Sequence, residues 1–379
     1  MALDLAAVAR HSRSMLLDHV IPFWFRSGVD QELGGVLSCM TEDGQRVNTD
    51  KYLWSQGRWL WVCSALYNRI DPRPEFLEAA RKTAEFLLRH GRDSAGRWYF
   101  AVTREGVPLI GPTSIFSDCF AIYGLGEYAR ASGSQEAHDT AHASFERVCR
   151  RVEEPDFAET APTPAAPGRR LHSVPMILLE LANELGLQAS AGEYARRILD
   201  HHVDPDRQVL LEYLNWDYSQ LPAGEGTAVE PGHAIESMWF VLHWAMRSGR
   251  TAEIHRAAEV IRWHLEKGWD PEFGGLFLAI DAGGGTPYIP NADKKLWWPH
   301  TEALYACILT YKLKGEAWCE EWYRRVYQWS MQHFAMGPGL DWRQRLDRKG
   351  HPISDLVALP VKDPFHLPRA LLLTAKIEF

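Results

Sequence analysis

Along this chain the hydrophobic and polar positions repeat. One segment type recurs: an Asp, then a Gly or near equivalent, a short apolar or aromatic run, and a polar turn with Asp and Gly. It reads DQELGGVLSCMTEDG from Asp30, DSAGRWYFAVTREG from Asp93, DPEFGGLFLAIDAGG from Asp270 and GPGLDWRQRLDRKG from Gly337. A degenerate copy, DPDRQVLLEYLNWD, begins at Asp204. Short apolar runs closed by Gly-containing turns predict β-hairpins. Each segment precedes a stretch rich in apolar and small residues, and these predict helices starting near Asp50, Pro112, Leu171, Gly232, Trp298 and Pro364. A tight link then leads to a more polar, amphipathic helix, as over Glu75 to His90, Ala252 to Lys267 and Glu316 to His333. Residues Leu3 to Phe25 supply the polar helix of the first pair.

Helices that are apolar all round need burial on nearly every side, whereas amphipathic ones need it on one face. An inner ring of six inside an outer ring of six satisfies both. The expected fold is therefore all-α, an (α/α)6 barrel with short β-hairpins in the loops at one end. A single catalytic domain is expected over residues 1–379. The Pro-rich stretch from Glu153 to Arg170 resembles a linker, but the helix spacing continues in register across it, so it reads as a repeat whose hairpin has become a loop. Function is expected at the end that carries the long loops.

Composition narrows the class. With 46% hydrophobic and 24% charged residues the 379-residue chain reads as an ordinary globular protein. A formal charge of −8 and the lack of any long Lys/Arg run argue against nucleic acid as a partner. The six cysteines, Cys39, Cys63, Cys119, Cys149, Cys307 and Cys319, show no metal- or disulfide-like spacing and read as reduced thiols of a cytoplasmic protein. Charges at Asp4, Arg10, Arg13 and Asp18 interrupt any signal-peptide core, and no membrane partner is expected. Sixteen tryptophans suit a sugar pocket, because an indole face covers the C–H face of a pyranose, although most are equally at home in a core.

Three predicted inner helices begin with Pro or Gly next to a histidine: EPGHAIESMW around His233, WWPHTEAL around His300 and DPFHLPRALLL around His366. Near a helix N-terminus the dipole disfavours the imidazolium, so each histidine is expected to be neutral and able to accept a proton. Glu236 follows His233 by three residues and Glu302 follows Trp298 by four, so each pair shares a helix face. Arg58 shares one face of the first inner helix with Trp54 and Trp61, as a structural cation–π partner or a ligand clamp. A metal site of His and Glu is the rival reading, but H-E-x-x-H is lacking and His-x-x-Glu occurs clearly once. No metal and no cofactor is expected. Phosphate-loop and dinucleotide patterns are missing as well.

At these residues the chain resembles the N-acylglucosamine 2-epimerase family, which also contains cellobiose 2-epimerases and mannose-type aldose–ketose isomerases. PGHAIESMWF, KLWWPHTEALYA and DPFHLPRALL are similar to the family's blocks, and SQGRWLWVCSALY to its first inner helix. The resemblance covers essentially the whole chain. It implies a sugar 2-epimerase acting on a hexose or N-acylhexosamine through an ene-diolate. His233 and His366 are then the acid/base pair on opposite faces of C2, Arg58 steadies the oxyanion and Glu236 orients His233. Trp298, Glu302 and Trp342 would shape the sugar site, with Trp54 and His300 beside them. Relatives of the cellobiose and mannose type carry an extra histidine on the third inner helix, where LHSVPMILLELANEL has Ile177, which leans toward the N-acylglucosamine type. His172, five residues earlier, could partly substitute. The partner is a small-molecule sugar, and a homodimer is allowed. An aldose–ketose isomerase remains open, as does, more distantly, an (α/α)6 glycoside hydrolase using Glu236 and Glu302.

Overall fold

The computed structural model describes residues 3–159, 165–354 and 360–377. Its first helical stretch is α1 (Leu5–Ser14), a π-helical turn (Met15–Val20) and α2 (Ile21–Ser27). Pro22 explains the break: lacking an N–H, it removes one hydrogen bond of the ladder, and the helix widens just before it. Four helices follow: α3 (Leu53–Ala65), α4 (Pro74–His90), α5 (Ile115–Ser132) and α6 (Gln135–Arg151). Then come α7 (Ser173–Glu184), α8 (Gln188–Arg197), α9 (Pro231–Arg247), α10 (Thr251–Gly268), α11 (Trp297–Lys314) and α12 (Ala317–His333), and last α13 (His366–Ala375). The predicted helix starts lie within a few residues of those of α3, α5, α7, α9, α11 and α13. Within the loop between 153 and 170, residues 160–164 lie outside the described residues.

The chain divides into two compact units. One comprises residues 8–167, 337–341 and 358–379, with most of α1, α2 to α6, and α13. The other comprises residues 1–7, 168–336 and 342–357, with α7 to α12.

In the first unit α3 buries every residue but Trp54, as an all-round apolar helix must, whereas α4 buries a single stripe that includes Phe76, Ala80, Ala84 and Leu87. Helices α3 and α5 touch backbone to backbone. A Cβ added at Gly57 would stand 2.2 Å from the carbonyl oxygen of Phe120, and one at Gly124 would stand 2.4 Å from that of Gly57. In the second unit α9 and α11 are the apolar helices and α10 and α12 the amphipathic ones.

Short antiparallel strand pairs are present in the loops, as expected, with Ala101–Val102 and Pro108–Ile110, and Val203–Asp204 and Val209–Leu210, paired as local hairpins. Most predicted hairpins close with a single bridge, as at Val29–Val36, Arg92–Trp98 and Trp269–Leu276. The other strand pairs join successive repeats. β1 (Lys51–Tyr52), just before α3, pairs with β2 (Ala101–Val102), which also pairs with β3 (Pro108–Ile110). β4 (Arg169–Leu171), before α7, skips the local hairpin of β5 (Val203–Asp204) and β6 (Val209–Leu210) and pairs with β7 (Tyr213–Asn215). β8 (Ala228–Val229), before α9, pairs with β9 (Ile280–Asp281), and β10 (Lys295–Leu296), before α11, with β11 (Arg345–Leu346). Each of these helix starts is thus tied to the loop of the following repeat.

A buried ion pair repeats the same logic. In the loop from Asp30, its Oδ1 accepts the amides of Glu32 and Leu33, and the chain turns through Gly34 and Gly35, both at positive φ. Lys51 of β1 places its Nζ 3.1 Å from Asp30 Oδ2, with both side chains fully buried, and Arg104, just beyond β2, donates to the same carboxylate. The second unit repeats every part. Asp270 accepts the amides of Glu272 and Phe273, Gly274 and Gly275 turn at positive φ, Lys295 of β10 lies 3.2 Å away, and Arg348 beyond β11 donates at 2.9 Å. Burial alone would raise both carboxyl pKa values, but the arginines, amides and lysines hold them well below the ordinary range. Breaking a buried pair by removing one charge costs about 3 kcal/mol. Asp270→Asn keeps an amide acceptor but strands the Lys295 ammonium, so urea unfolding of this variant should show a stability loss of about that size.

Candidate active site

The N-terminal turns of the apolar helices carry the predicted chemistry, and the two units hold different parts of it. In the unit of α3 and α13, Asp363 is the organising group. Its Oδ2 accepts the amides of Phe365 and His366 at 3.1 and 2.8 Å, closing the start of α13, and its Oδ1 receives Arg58 NH1 at 2.8 Å. Arg58 NH2 lies 3.3 Å from His366 Nε2, and Arg369, one turn along α13, reaches Nδ1 at 3.4 Å. The Arg58 guanidinium sits over the rings of Phe120 at 4.0 Å and Trp54 at 4.7 Å, which makes it a cation–π partner and an ion-pair partner together. Burial works against the Asp363 carboxylate, yet Arg58 and His366 hold its pKa below the usual value. Arg58, His366 and Trp54 are thus brought together, with Asp363 and Arg369 as members that sequence reasoning missed. Asp363 stands three residues before His366, at a capping position, and that spacing was the available signal.

In the unit of α7 to α12 the focus is His233, in the first turn of α9. Its Nδ1 lies 3.4 Å from each oxygen of Glu212 and 3.6 Å from Glu230 Oε1. Glu236 was expected to orient this ring. The structure gives that place to Glu212, from the loop between β6 and β7, while the charge of Glu236, one turn along the helix, also raises the ring. Glu212 is held by its own main chain: its N–H donates to Ala228 O at 3.0 Å and its C=O accepts from His172 N at 2.8 Å. His264 Nε2 accepts the Leu210 amide and His202 Nδ1 donates to Leu211 O, so the segment is clamped on both sides. Sequence reasoning missed Glu212, whose only mark is one acid inside the apolar run LLEYL.

These carboxylates overturn the expected neutrality of His233. Burial pushes its pKa down, but Glu230 and Glu212 outweigh both burial and the helix dipole and raise it to about 10. Burial and the neighbouring Glu212 raise Glu230 to about 7, against the pull of His233. His172, the residue before α7, is fully buried, with Nδ1 3.5 Å from Glu212 Oε1. Trp298 lies beside His233, ring centroids 5.1 Å apart, and Glu302 accepts the indole N–H of Trp239 at 2.9 Å.

His300 departs from expectation. Its Nε2 accepts the Leu276 amide at 2.9 Å, its Nδ1 donates to Leu296 O at 2.7 Å, and its ring stacks on Trp329. Both nitrogens are committed to the main chain and the residue is fully buried, so no ring nitrogen is left for a sugar. Gln56 does the same work on α3, exchanging two 2.7 Å hydrogen bonds with Val36. Trp342 is also buried, stacked on Phe334.

Comparison with known proteins settles the class. The model of the family described as N-acylglucosamine 2-epimerase (GlcNAc 2-epimerase) matches residues 35–370, a span that contains both His233 and His366. The chain belongs to the N-acylglucosamine 2-epimerase family. Membership makes it a carbohydrate epimerase, and hence an isomerase. The N-acylglucosamine 2-epimerase of Bos taurus is 33% identical over 369 residues, covering 94% of this chain and 87% of that protein. Among solved structures, cellobiose 2-epimerase from Bacillus thermoamylovorans superposes with a TM-score of 0.84 at 19% identity, covering 98% of this chain and 99% of that one. A D-mannose isomerase superposes with a TM-score of 0.81 at 16% identity, covering 98% and 97%. The fold of this family member is accordingly the (α/α)6 barrel with short antiparallel strand pairs. No helix among the described residues is long and apolar enough to cross a membrane.

The carboxylates around His233 set a measurable expectation. Removing the charge in Glu212→Gln takes away one of the groups that raise the imidazole, so its pKa should fall from about 10 toward the ordinary value near ~6.5. Titration of the His233 ring protons by NMR reads this directly, with Glu236→Gln expected to give the smaller displacement.

Proposed function

We propose that this epimerase interconverts the C2 epimers of a hexose or an N-acylhexosamine, of the N-acylglucosamine/N-acylmannosamine type, with His233 and His366 as the proton-transferring groups. The carrying observation is the family match across both histidine-bearing helix starts, together with 33% identity over nearly the whole chain to a protein named for N-acylglucosamine. In the ring-opened sugar the carbonyl at C1 acidifies the C2 hydrogen. One histidine removes it, the electron pair moves onto O1, and the other histidine returns a proton to the opposite face, so that nothing is consumed.

Each unit's geometry supports its share of this reaction. Glu212 holds Nδ1 of His233, which leaves Nε2 for the sugar and makes a ring that is charged at neutral pH a competent acid. His366 is positioned by Arg58 and Arg369, and a guanidinium next to it is the group suited to a developing oxyanion. Trp298 beside His233 and Trp54 beside Arg58 offer flat faces to the C–H side of a sugar. Glu236 and Glu302 line the same helix starts. His300 is left out of the sugar contacts because the main chain occupies both its ring nitrogens.

Turnover in deuterated water should place deuterium at C2 of both epimers, and chromatography should show a second aldose and not a ketose. Ketose as the main product would replace this reading by aldose–ketose isomerisation. His366→Asn and His233→Asn, each shown by circular dichroism to be folded, should lose about 10²- to 10⁴-fold in kcat. Near-normal rates in both would remove the histidines from the reaction. Exhaustive chelation should leave the rate of the native enzyme unchanged.

A further inference from the structure

We propose that His172, Glu212 and His233 also form a site for a divalent transition ion of the zinc type, and that occupancy of this site inhibits the enzyme. One ligand atom from each residue can be chosen so that all lie within 4.8 Å of one another. Two imidazoles and one carboxylate form a donor set that zinc accepts, with a fourth position left open.

The separations suit a bound ion as well as long hydrogen bonds. Nδ1 of His172 lies 3.5 Å from Glu212 Oε1, and Nδ1 of His233 lies 3.4 Å from the same oxygen. A good N–H···O bond measures about 2.9 Å. The edge of a zinc tetrahedron with bonds of about 2.05 Å is about 3.3 Å. His172 carries the independent observation: it is fully buried, and neither ring nitrogen makes a hydrogen bond, an arrangement that leaves a strong donor–acceptor ring unsatisfied. Glu212 Oε1, the shared oxygen, is unsatisfied as well. The main chain holds Glu212 in place, since both its N–H and its C=O are bonded. Glu230, with Oε1 3.6 Å from His233 Nδ1, adds negative charge beside the site. Entry runs past His233, whose side chain is 24% exposed.

The three ligands come from the start of α7, the loop between β6 and β7, and the first turn of α9. An ion bound through Nδ1 of His233 displaces the proton of that nitrogen and leaves a neutral ring in place of the imidazolium acid proposed above, while Nε2 keeps its hydrogen and cannot accept a proton. The inhibition therefore rests on the role proposed above for His233, whereas the binding does not.

Zinc ion titrated into metal-stripped protein, followed by calorimetry, tests the binding. The native chain should show one tight site, weakened at least about tenfold in both His172→Asn and Glu212→Gln. A surface control is needed, because His138 and His142 lie close together on α6, with ring centroids 4.3 Å apart. The His138→Asn/His142→Asn double variant should keep the tight site. Thermal melts establish that each variant is folded, and Glu212→Gln reads the same ligand set should His172→Asn fail to fold. Absence of a tight site in the native chain overturns the proposal. So does a tight site lost in the surface control or unchanged in the two ligand variants. Stoichiometric zinc should abolish epimerisation and EDTA restore it. Ligand-dependent binding with undiminished turnover would uphold the site and remove His233 from the reaction.

Discussion

A lysine ammonium taken wholly out of water must be met by a carboxylate and further acceptors, and in both units of this protein that requirement fixes where an inner helix begins. Lys51 and Lys295 occupy two-residue strands that no ladder of that length could hold alone. Asp30 and Asp270 anchor them from a loop, and Arg104 and Arg348 bind the same carboxylates from the repeat that follows. Five residues beyond each lysine, Gln56 and His300 tie the helix's first turn to the loop amide of Val36 or Leu276. Trp54 and Arg58 in one unit, and Trp298 and Glu302 in the other, stand on turns positioned in this way. Neighbouring residues therefore divide between holding the turn and the sugar contacts proposed above.

This division limits what a sequence discloses. The helices were legible because burial on all sides leaves an apolar run without a polar stripe, as in α3, while a single stripe marks α4 as its outer partner. The pairing of strands between repeats was not legible, since two or three residues carry no period and their partners lie in the next repeat. His233 and His300 look alike in the chain, each beside Pro or Gly at a helix start. What separates them is whether a loop amide or a carboxylate meets the ring, and Glu212 arrives from 21 residues away. Asp363 stood inside the block DPFHLPRALLL, close enough to be read as a cap, whereas Glu212 had only its isolation among apolar neighbours.

The two histidines assigned to proton transfer differ in their surroundings. His233 is bordered by Glu212 and Glu230, so its proton is held by anions. His366 is bordered by two guanidinium groups, with Asp363 beneath them. The proposed reaction, which both takes and gives a proton at C2, would gain from such a contrast, because His233 supplies an acid before any base has acted.

The rings that clamp the loop carrying Glu212, and the ring that closes the start of α11, have a consequence for the protein in acid. His202, His264 and His300 are fully buried, and burial, the largest influence on each, depresses them to about 3, 4 and 3. In the unfolded chain each would titrate near ~6.5. Below that pH the unfolded state binds three protons that the native state refuses, so stability drains by about 4 kcal/mol for each further unit of acidification until the native rings themselves begin to titrate. His233, raised and not depressed, has the opposite dependence, and its contribution is already complete below its unfolded value. The imidazoles that keep the loops in register thus also make the fold a neutral-pH structure, one that takes up protons as it comes apart.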